Sequence, residues 1–386
     1  MNTQNAAIYE YLENMKSIQN YLLKYIDNDD NMEENYNNLI SLIKDFKTYE
    51  KKNELNLFLH FLSKIANNHQ RSCNFFQKIE KILLMIKDDI NKFFSNKEKF
   101  NFFKGNKRIL LFINKNDMFS FDQSIVNIIT NGKYKIRYYP QYFYPEIKDF
   151  LDEQMKTNLS KEIKDDFEEK RLIGENDNHI CELIRKDLID DYISLINNKN
   201  NKYYSGSTIP SSIFETNRFI LKRNMTLISY ATFYGSKKIF SHMCKDRYLL
   251  DSFLWKCSVH SNNLEMINIL NQNNVKLTTS SLKQNLKESI KCHHSDFIQY
   301  FIGKSSECEN SDLLIFSIQF YNFMHINNDS INQSTFIDLC QYDYISLVDI
   351  LIKSMKIDIN AVHKIKSDFS IEFFDMNFNS ISNFIF

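Results

Sequence analysis

One stretch of this chain, residues 226–244, has the pattern of two short helices joined by a tight turn. Thr226 is a suitable N-cap, Ala231 is small enough to let helices approach closely, and Gly235 can adopt the positive φ that ends a helix. A hairpin this short cannot bury its apolar face alone. It must stack on similar neighbours, so the stretch predicts a repeat protein.

The pattern recurs downstream at steps of 27 and then 31 residues. Three units keep the same internal spacing, namely Ile228, Ala231, Gly235, Ile239 and Met243; Trp255, Ser258, Asn262, Met266 and Leu270; and Leu286, Ser289, His293, Phe297 and Phe301. Weaker copies fit Ile184, Leu188, Tyr192 and Ile196, and also Phe336, Leu339, Asp343, Leu347 and Leu351. We therefore expect a helical-hairpin solenoid, clearest over residues 226–302 and weaker over 178–198 and 334–361.

These residues resemble ankyrin repeats, in which a Thr-Pro-Leu-His turn precedes the first helix and a Gly-His step separates the two helices. Thr226 and Ile228 stand at the threonine and leucine positions, whereas Leu227 replaces the proline and Ser229 replaces the histidine. The turn is thus degenerate.

Three segments are more closely similar to the divergent ankyrin-type proteins of trichomonad protists, a large family that has an N-terminal helical region of unknown function. The segments are Leu254–Ser258, Lys287–His294 and Ile357–Ala361, and the likeness covers about residues 176–361. The resemblance implies a fold and a binding scaffold. It carries no catalytic residues over to this chain.

Composition supports an all-α fold. The 386 residues include only 6 Gly and 3 Pro, which leaves few turn residues for a β-sandwich or a doubly wound sheet. Hydrophobic residues at 43%, with 33 Phe, can form a substantial core. We predict a helical N-terminal region over residues 1–172, followed by divergent ankyrin-like repeats over residues 173–386.

Four amphipathic helices are predicted in the N-terminal region, over residues 8–26, 32–46, 57–65 and 74–93. Residues 108–113 fit a strand or a helix, and the flanking helices favour a helix there and at 121–130. Other segments are predicted as non-repeat structure: an extended aromatic loop at 138–145, a charged surface segment at 161–171 that ends at Gly174, and an exposed loop at 197–217.

Charge and hydropathy bear on location. Lys plus Arg and Asp plus Glu number 48 each, so no net field attracts nucleic acid or an anionic membrane. No apolar run approaches the roughly 20 residues that span a bilayer, and the polar first residues lack a signal-peptide core. The 7 cysteines have no disulfide-framework spacing. We expect an intracellular, cytoplasmic protein that binds neither nucleic acid nor membrane.

Cysteine and histidine residues suggest one metal site. Cys257 and His260 are three residues apart, and Cys292, His293 and His294 occupy the same part of the next repeat. Such ligands could form a tetrahedral zinc site. However, their separation matches the repeat period, and cysteine packs as a small apolar residue. We expect structural packing and no metal.

Catalytic signatures are absent from the sequence. The six separated glycines exclude the usual glycine-rich phosphate and nucleophile motifs, and H-E-x-x-H does not occur. The carboxylate pairs at 165–166 and 190–191 lie in charged stretches typical of solvated helix faces. Trp255 occupies a core position of the repeat. We therefore expect no catalytic and no cofactor-binding residues.

These patterns favour a non-catalytic scaffold that binds a protein partner through its repeat surface. The alternative is an enzyme or a zinc-dependent module, with its site in the N-terminal region or at Cys257, His260 and Cys292. Residues 362–386 are apolar but irregular and supply no complete cap, so self-association through the C-terminal end is a further expectation.

Overall fold

A computed structural model describes residues 3–28, 30–45, 51–72, 74–198, 203–221, 224–245, 249–304, 310–331 and 333–355. Over these residues the fold is all-helical, and the one β contact is an isolated bridge between Thr208 and Thr226. None of the helices in these ranges is both long enough and apolar enough to cross a bilayer.

The first half of the chain forms helices α1 (Thr3–Asp27), α2 (Met32–Lys44), α3 (Lys51–Asn68), α4 (Phe75–Met85), α5 (Lys87–Phe93), α6 (Asn96–Phe103), α7 (Lys107–Lys115), α8 (Gln123–Ile129), α9 (Gly132–Ile136), α10 (Tyr139–Tyr142), α11 (Tyr144–Ile147), α12 (Glu153–Leu159) and α13 (Phe167–Ile173). The second half forms α14 (His179–Arg185), α15 (Ile189–Ile196), α16 (Arg218–Leu221), α17 (Leu227–Tyr234), α18 (Lys237–Met243), α19 (Phe253–Ser261), α20 (Leu264–Gln272), α21 (Thr279–Cys292), α22 (Ser295–Lys304), α23 (Asn310–Phe320), α24 (Gln333–Gln341) and α25 (Ile345–Met355).

The chain divides into two compact units, Ser63–Ser306 and the combination of Met1–Leu62 with Glu307–Phe386. This grouping follows tertiary contacts and differs from the boundary at residues 172 and 173. That boundary concerns where the repeats begin and stays a prediction.

The Ser63–Ser306 unit contains four helical hairpins, formed by α14/α15, α17/α18, α19/α20 and α21/α22 and called the first to fourth hairpins below. Their first helices pack side by side, α14 against α17, α17 against α19, and α19 against α21. Each hairpin turn has a residue in the left-handed region, and these residues are Asp187, Gly235, Asn262 and His293, with φ of 51°, 67°, 48° and 60°. The last three are the turn positions that the sequence pattern predicts. The first hairpin turns at Asp187, one residue before the predicted Leu188.

The small-residue position of each unit has two roles. Ala231, Ser258 and Ser289 are fully buried where neighbouring first helices meet. The Ala231 carbonyl also accepts a hydrogen bond from the Ser236 N–H at 2.9 Å, and the Ser289 carbonyl accepts one from the His294 N–H at 3.2 Å. These bonds satisfy carbonyls at the helix end, which is the usual consequence of a left-handed C′ residue.

The other compact unit is built around α1, which packs against α2, α25 and the short 3-10 helix Phe323–His325. Helices α24 and α25 form a hairpin that turns at Asp343, as the weaker sequence copy predicts. Residues 356–361 of that copy, and the C-terminal stretch 362–386, lie outside the described residues.

Helix α23 has the features of a repeat helix that the sequence analysis missed. Ser317 is buried and its carbonyl accepts a hydrogen bond from the Asn322 N–H at 2.9 Å, while Tyr321 takes the left-handed turn with φ of 57°. Tyrosine is an unusual residue there, and only a 3-10 helix follows instead of a second α-helix. Neither feature matches the pattern of the other units.

Helices predicted at 8–26, 32–46, 57–65, 108–113 and 121–130 are confirmed as α1, α2, α3, α7 and α8. The predicted helix over 74–93 is two helices, α4 and α5, separated at Ile86. The charged segment at 161–171 is exposed over most of its length, but Arg171 is buried.

The predicted extended loop at 138–145 is wrong, because these residues form α10 and α11. Pro140 and Pro145 each occupy the first turn of a short helix, where the missing N–H would have no partner anyway. Tyr139, Tyr142 and Phe143 are buried.

The predicted exposed loop at 197–217 is also wrong over its second part. Glu215, Thr216 and Asn217 are at most 3% exposed. Their polar groups are paired locally, since the Thr216 hydroxyl donates to the Gly174 carbonyl at 2.7 Å and the Asn217 N–H donates to the Glu215 carboxylate at 2.7 Å. Polar composition therefore does not imply exposure in this segment.

Candidate functional site

The structure brings together two of the predicted metal-ligand candidates. His260 lies near the end of α19, and Cys292 is the last residue of the neighbouring α21. The Cys292 Sγ lies 3.6 Å from His260 Nδ1 and 3.9 Å from His260 Nε2. Because the two ring nitrogens are nearly equidistant from the sulfur, the thiol is not aligned with the lone pair of either one.

A third residue, Glu288, joins this cluster. Its Oε1 lies 2.8 Å from His260 Nε2, and the three side chains offer one ligand atom each within 4.8 Å of one another. The sequence analysis missed Glu288. It lies one helical turn before Cys292 on α21, so the four-residue spacing of a carboxylate and a cysteine was the signal that could have identified it.

The other candidates occupy different environments. Cys257 is buried but does not belong to the group of closely spaced ligand atoms in the described residues. His293 is the left-handed turn residue of the fourth hairpin. His294 donates from Nδ1 to the Val259 carbonyl at 2.7 Å, and its buried Nε2 has no hydrogen-bond partner in the part of the chain that the structure describes.

His69 connects the end of α3 to this region. Its Nδ1 donates to the Cys292 carbonyl at 2.7 Å, and its ring meets the His294 ring edge to face, with centroids 4.8 Å apart. The His260 ring is packed by aromatic rings instead, with Phe219 at 4.2 Å and Phe233 at 4.9 Å between centroids. The imidazoles are therefore held rigidly on several sides.

Lys291 balances the charge of the cluster. Its Nζ lies 2.7 Å from the Glu288 Oε1 that also accepts from His260. Burial alone would raise the pKa of Glu288, but Lys291 and the bond from His260 hold that pKa well below its usual value. The carboxylate is thus ionised, and the Lys291 ammonium neutralises it.

The neutral members of the cluster have the opposite tendencies. Burial lowers the pKa of His260, although the Glu288 carboxylate opposes this shift. Burial, followed by repulsion from His69, holds the pKa of His294 well below its usual value. Burial and the nearby Glu288 raise the pKa of the Cys292 thiol well above its usual value. The favoured state has neutral imidazoles and a protonated thiol.

This arrangement fits a zinc ion poorly. Zinc takes thiolate, imidazole and carboxylate ligands in a tetrahedral set, usually of four groups. Here the thiol is kept protonated, the carboxylate oxygen already accepts from His260 and Lys291, and the group contains three ligand residues. The contacts are those of a charge-balanced buried hydrogen-bond network. The absence of a bound metal stays a prediction.

The remaining candidates have structural positions. Asp190 and Asp191 lie exposed in the first turn of α15, where carboxylates favour the helix dipole, and Asp166 pairs with Lys170 at 2.8 Å on the surface. Trp255 is 1% exposed, and its indole N–H donates to the Val275 carbonyl at 3.3 Å. The core assignment of Trp255 is confirmed.

An open depression of about 440 Å³ lies at the turn end of the second, third and fourth hairpins. Its lining residues come from the ends and turns of these hairpins and from the residue that follows His69: Gln70, Tyr234, Ser261, Asn262, Asn263, Leu264, Glu265 and Asp296. Leu264 is 45% exposed at this surface, and the nearby Glu265 and Asp296 are also exposed. The depression therefore combines one apolar side chain with a carboxylate-rich rim.

No protein family model, curated protein or solved structure matches this chain.

Proposed function

We propose that this chain is a non-catalytic, intracellular scaffold that binds a protein partner through an ankyrin-like array of helical hairpins. The observation that carries the proposal is the depression at the hairpin turns, which is lined by residues of three successive hairpins. Stacked repeats commonly present such composite surfaces to their partners. A scaffold of this kind needs no reactive group.

Repetition of the turn geometry supports the array. Gly235, Asn262 and His293 all adopt the left-handed conformation, at sequence steps of 27 and 31 residues. The first helices of successive hairpins contact each other, as expected for units that bury a shared core. The five cysteines in the described residues are free thiols, which supports a reducing compartment.

The depression also indicates which partner chemistry fits. Glu265 and Asp296 place two carboxylates beside the exposed Leu264 side chain. A partner segment with an apolar anchor flanked by Lys or Arg would complement this surface. Tyr234 adds a hydroxyl that is buried and has no hydrogen-bond partner among the described residues.

The test compares partner capture by the native chain and by the variant Leu264→Lys. Affinity purification from the source cells, followed by quantitative mass spectrometry, should recover one or more proteins with the native chain. Loss of an apolar anchor and its replacement by a charge should reduce their recovery about tenfold or more.

Leu84→Lys is the matched control, because Leu84 is 47% exposed on α4 and Leu264 is 45% exposed. Both variants should retain the native melting temperature. The proposal predicts that Leu84→Lys recovers the native set of proteins. If both variants recover the same proteins as the native chain, the depression is not the binding surface, and the absence of any enriched protein would contradict the scaffold function itself.

The alternative function, a zinc-dependent module at Cys257, His260 and Cys292, has less support. Glu288 and Lys291 already form an internal ion pair at 2.7 Å beside His260. Cys257 is not part of the group of closely spaced ligand atoms.

A further inference from the structure

A second region of the Ser63–Ser306 unit carries unusual charge. Four cations converge there, and we call Lys104, Lys133, Arg137 and Arg218 the basic cluster. They come from separate elements: Lys104 follows α6, Lys133 and Arg137 lie on and just after α9, and Arg218 begins α16. The convergence is therefore a product of the fold and not of one basic sequence run.

Two buried tyrosines tie these elements together. The rings of Tyr134 and Tyr139 are 5.0 Å apart, and the Tyr139 hydroxyl donates to the Lys104 carbonyl at 2.7 Å. The Lys133 Nζ lies over the Tyr134 ring, 5.4 Å from its centroid. The two rings form the floor of the basic cluster.

Gly105 brings Arg218 close to Lys104. A Cβ at Gly105 would lie 3.3 Å from the Arg218 Cδ and 2.9 Å from the Asn67 Nδ2. A larger residue would therefore displace one of these side chains. The glycine permits Arg218 to pack beside the residue that follows Lys104.

The four cations repel each other in a partly buried setting. Burial lowers the pKa of Lys133 to about 8, with further lowering by Arg218, Arg137 and Lys104. Burial and Arg218 also lower the pKa values of Lys104 and Arg137. Every charged neighbour that shifts Lys133 or Lys104 is another cation.

Other partly buried cations of the same unit are paired with carboxylates. Arg108 contacts Glu80 at 3.3 Å, Arg171 contacts Glu146 at 2.7 Å, and Arg185 contacts Glu175 at 2.7 Å.

The basic cluster differs from those pairs. Within the described residues, neither Lys104 nor Arg137 has a carboxylate within 4.0 Å, and the side-chain acceptor for Lys104 Nζ is the neutral Asn101 Oδ1 at 3.1 Å. Glu215 does not supply the missing charge here, since its carboxylate is buried beside Arg71 and accepts from the Asn217 N–H.

We propose that the basic cluster binds a phosphate-bearing anion, with Arg137 and Lys133 as its main ligands. Arginine matches the oxygen geometry of phosphate through paired N–H groups, and lysine adds a mobile point charge. The anion supplies the negative charge that the fold omits at this position. The phosphate comes from a soluble phosphorylated compound or from a lipid headgroup, and the experiment separates these sources.

The test uses the full chain and two probes. Inorganic pyrophosphate is titrated in solution by calorimetry, and phosphatidylcholine vesicles with and without phosphatidic acid are used in co-sedimentation. Arg137→Gln and Lys133→Gln should each weaken binding about tenfold, which is the effect of losing one charge-assisted contact. Pyrophosphate should also raise the melting temperature of the native chain, because ligand that binds the folded state stabilises it.

Lys135→Gln is the control, because Lys135 lies on the same helix and is fully exposed outside the basic cluster. Its binding should remain within about twofold of native. Pyrophosphate binding with this variant pattern supports a soluble ligand, and vesicle binding alone with the same pattern supports a lipid headgroup. Lack of binding to both probes, or equal weakening by Lys135→Gln, overturns the proposal. If Arg137→Gln does not fold, Lys133→Gln decides.

Discussion

Gln19 and Asn322 are separated by 303 residues in the sequence, and their buried side chains share a hydrogen bond of 3.0 Å. Gln19 lies on α1, and its Oε1 also accepts from the Met324 N–H at 3.3 Å. One amide side chain thus holds the 3-10 helix that follows α23. Both residues belong to the unit formed by the two ends of the chain.

Gln19→Leu should destabilise this unit by about 1–3 kcal/mol, because Asn322 would lose its buried partner. Gln19→Leu with Asn322→Leu should cost less than the sum of the single changes, since both polar groups are then removed. Urea denaturation followed by circular dichroism measures each free energy of unfolding. Gln123→Leu is the control, because Gln123 is exposed and contacts Asn127 on its own helix; equal costs at both sites would contradict the role of Gln19.

Ala231→Arg should unfold the central hairpins. Ala231 is fully buried at the meeting of α17 and α19, so a guanidinium there would have neither room nor a carboxylate partner. The expected cost is about 3 kcal/mol or more, against a total stability of about 5–15 kcal/mol for a typical domain.

Ala231→Ser tests the same position with the residue that Ser258 and Ser289 place in the neighbouring units. Its melting temperature should stay close to native. A native melt for Ala231→Arg would show that the small-residue position has been misidentified.

The Cys and His network should contain far less than one equivalent of zinc. Elemental analysis of protein purified without chelator measures the metal content directly. Replacing Cys257 and Cys292 by Ala should cost about 1–2 kcal/mol each, through lost packing. Stoichiometric zinc, together with loss of helicity on adding a chelator, would establish the metal site instead.

Stability should fall with acidification just below neutral pH. Burial lowers the pKa values of His260 and His294 from 6.5, so these groups take up protons more readily when unfolded. Their contribution to stability is complete above the unfolded pKa and declines below it. The expected slope approaches about 1.4 kcal/mol per pH unit for each histidine.

Urea titrations from about pH 7.5 to about pH 5.5 measure this slope, above the range where Glu288 would contribute. His294→Asn should reduce the slope, whereas a change at the exposed His179 to Gln should not. An unchanged slope for His294→Asn would show that His294 is not the titrating group.

Local sequence rules predicted the helices and three of the turns correctly. Thr226 caps α17 through a hydrogen bond to the Ser229 N–H at 3.3 Å, and Gly235 ends it, as their residue types indicate. Helix periodicity gave α1, α2 and α3 without tertiary information. These features depend on contacts within a few residues.

Features that depend on distant contacts were not predictable. The association of α1 with α25 joins the two ends of the chain, and no local pattern encodes such a pairing. Tyr321 and Asp187 adopt the left-handed conformation at turns where the sequence offers no glycine. At the Cys and His network, repeat spacing located His260 and Cys292, but only the packing of α19 against α21 revealed Glu288 as the residue that contacts His260.

Trp255 is the one tryptophan of the chain, and it lies in the third hairpin with its indole hydrogen bond to Val275 at 3.3 Å. Its emission is consequently a built-in optical reporter for the Ser63–Ser306 unit, and the other unit contributes only tyrosine fluorescence. Selective excitation of the indole would follow the melting of one unit in the intact chain without any label. Comparison with the circular dichroism signal, which reports all helices, would then show whether the two units lose structure in one transition or in two.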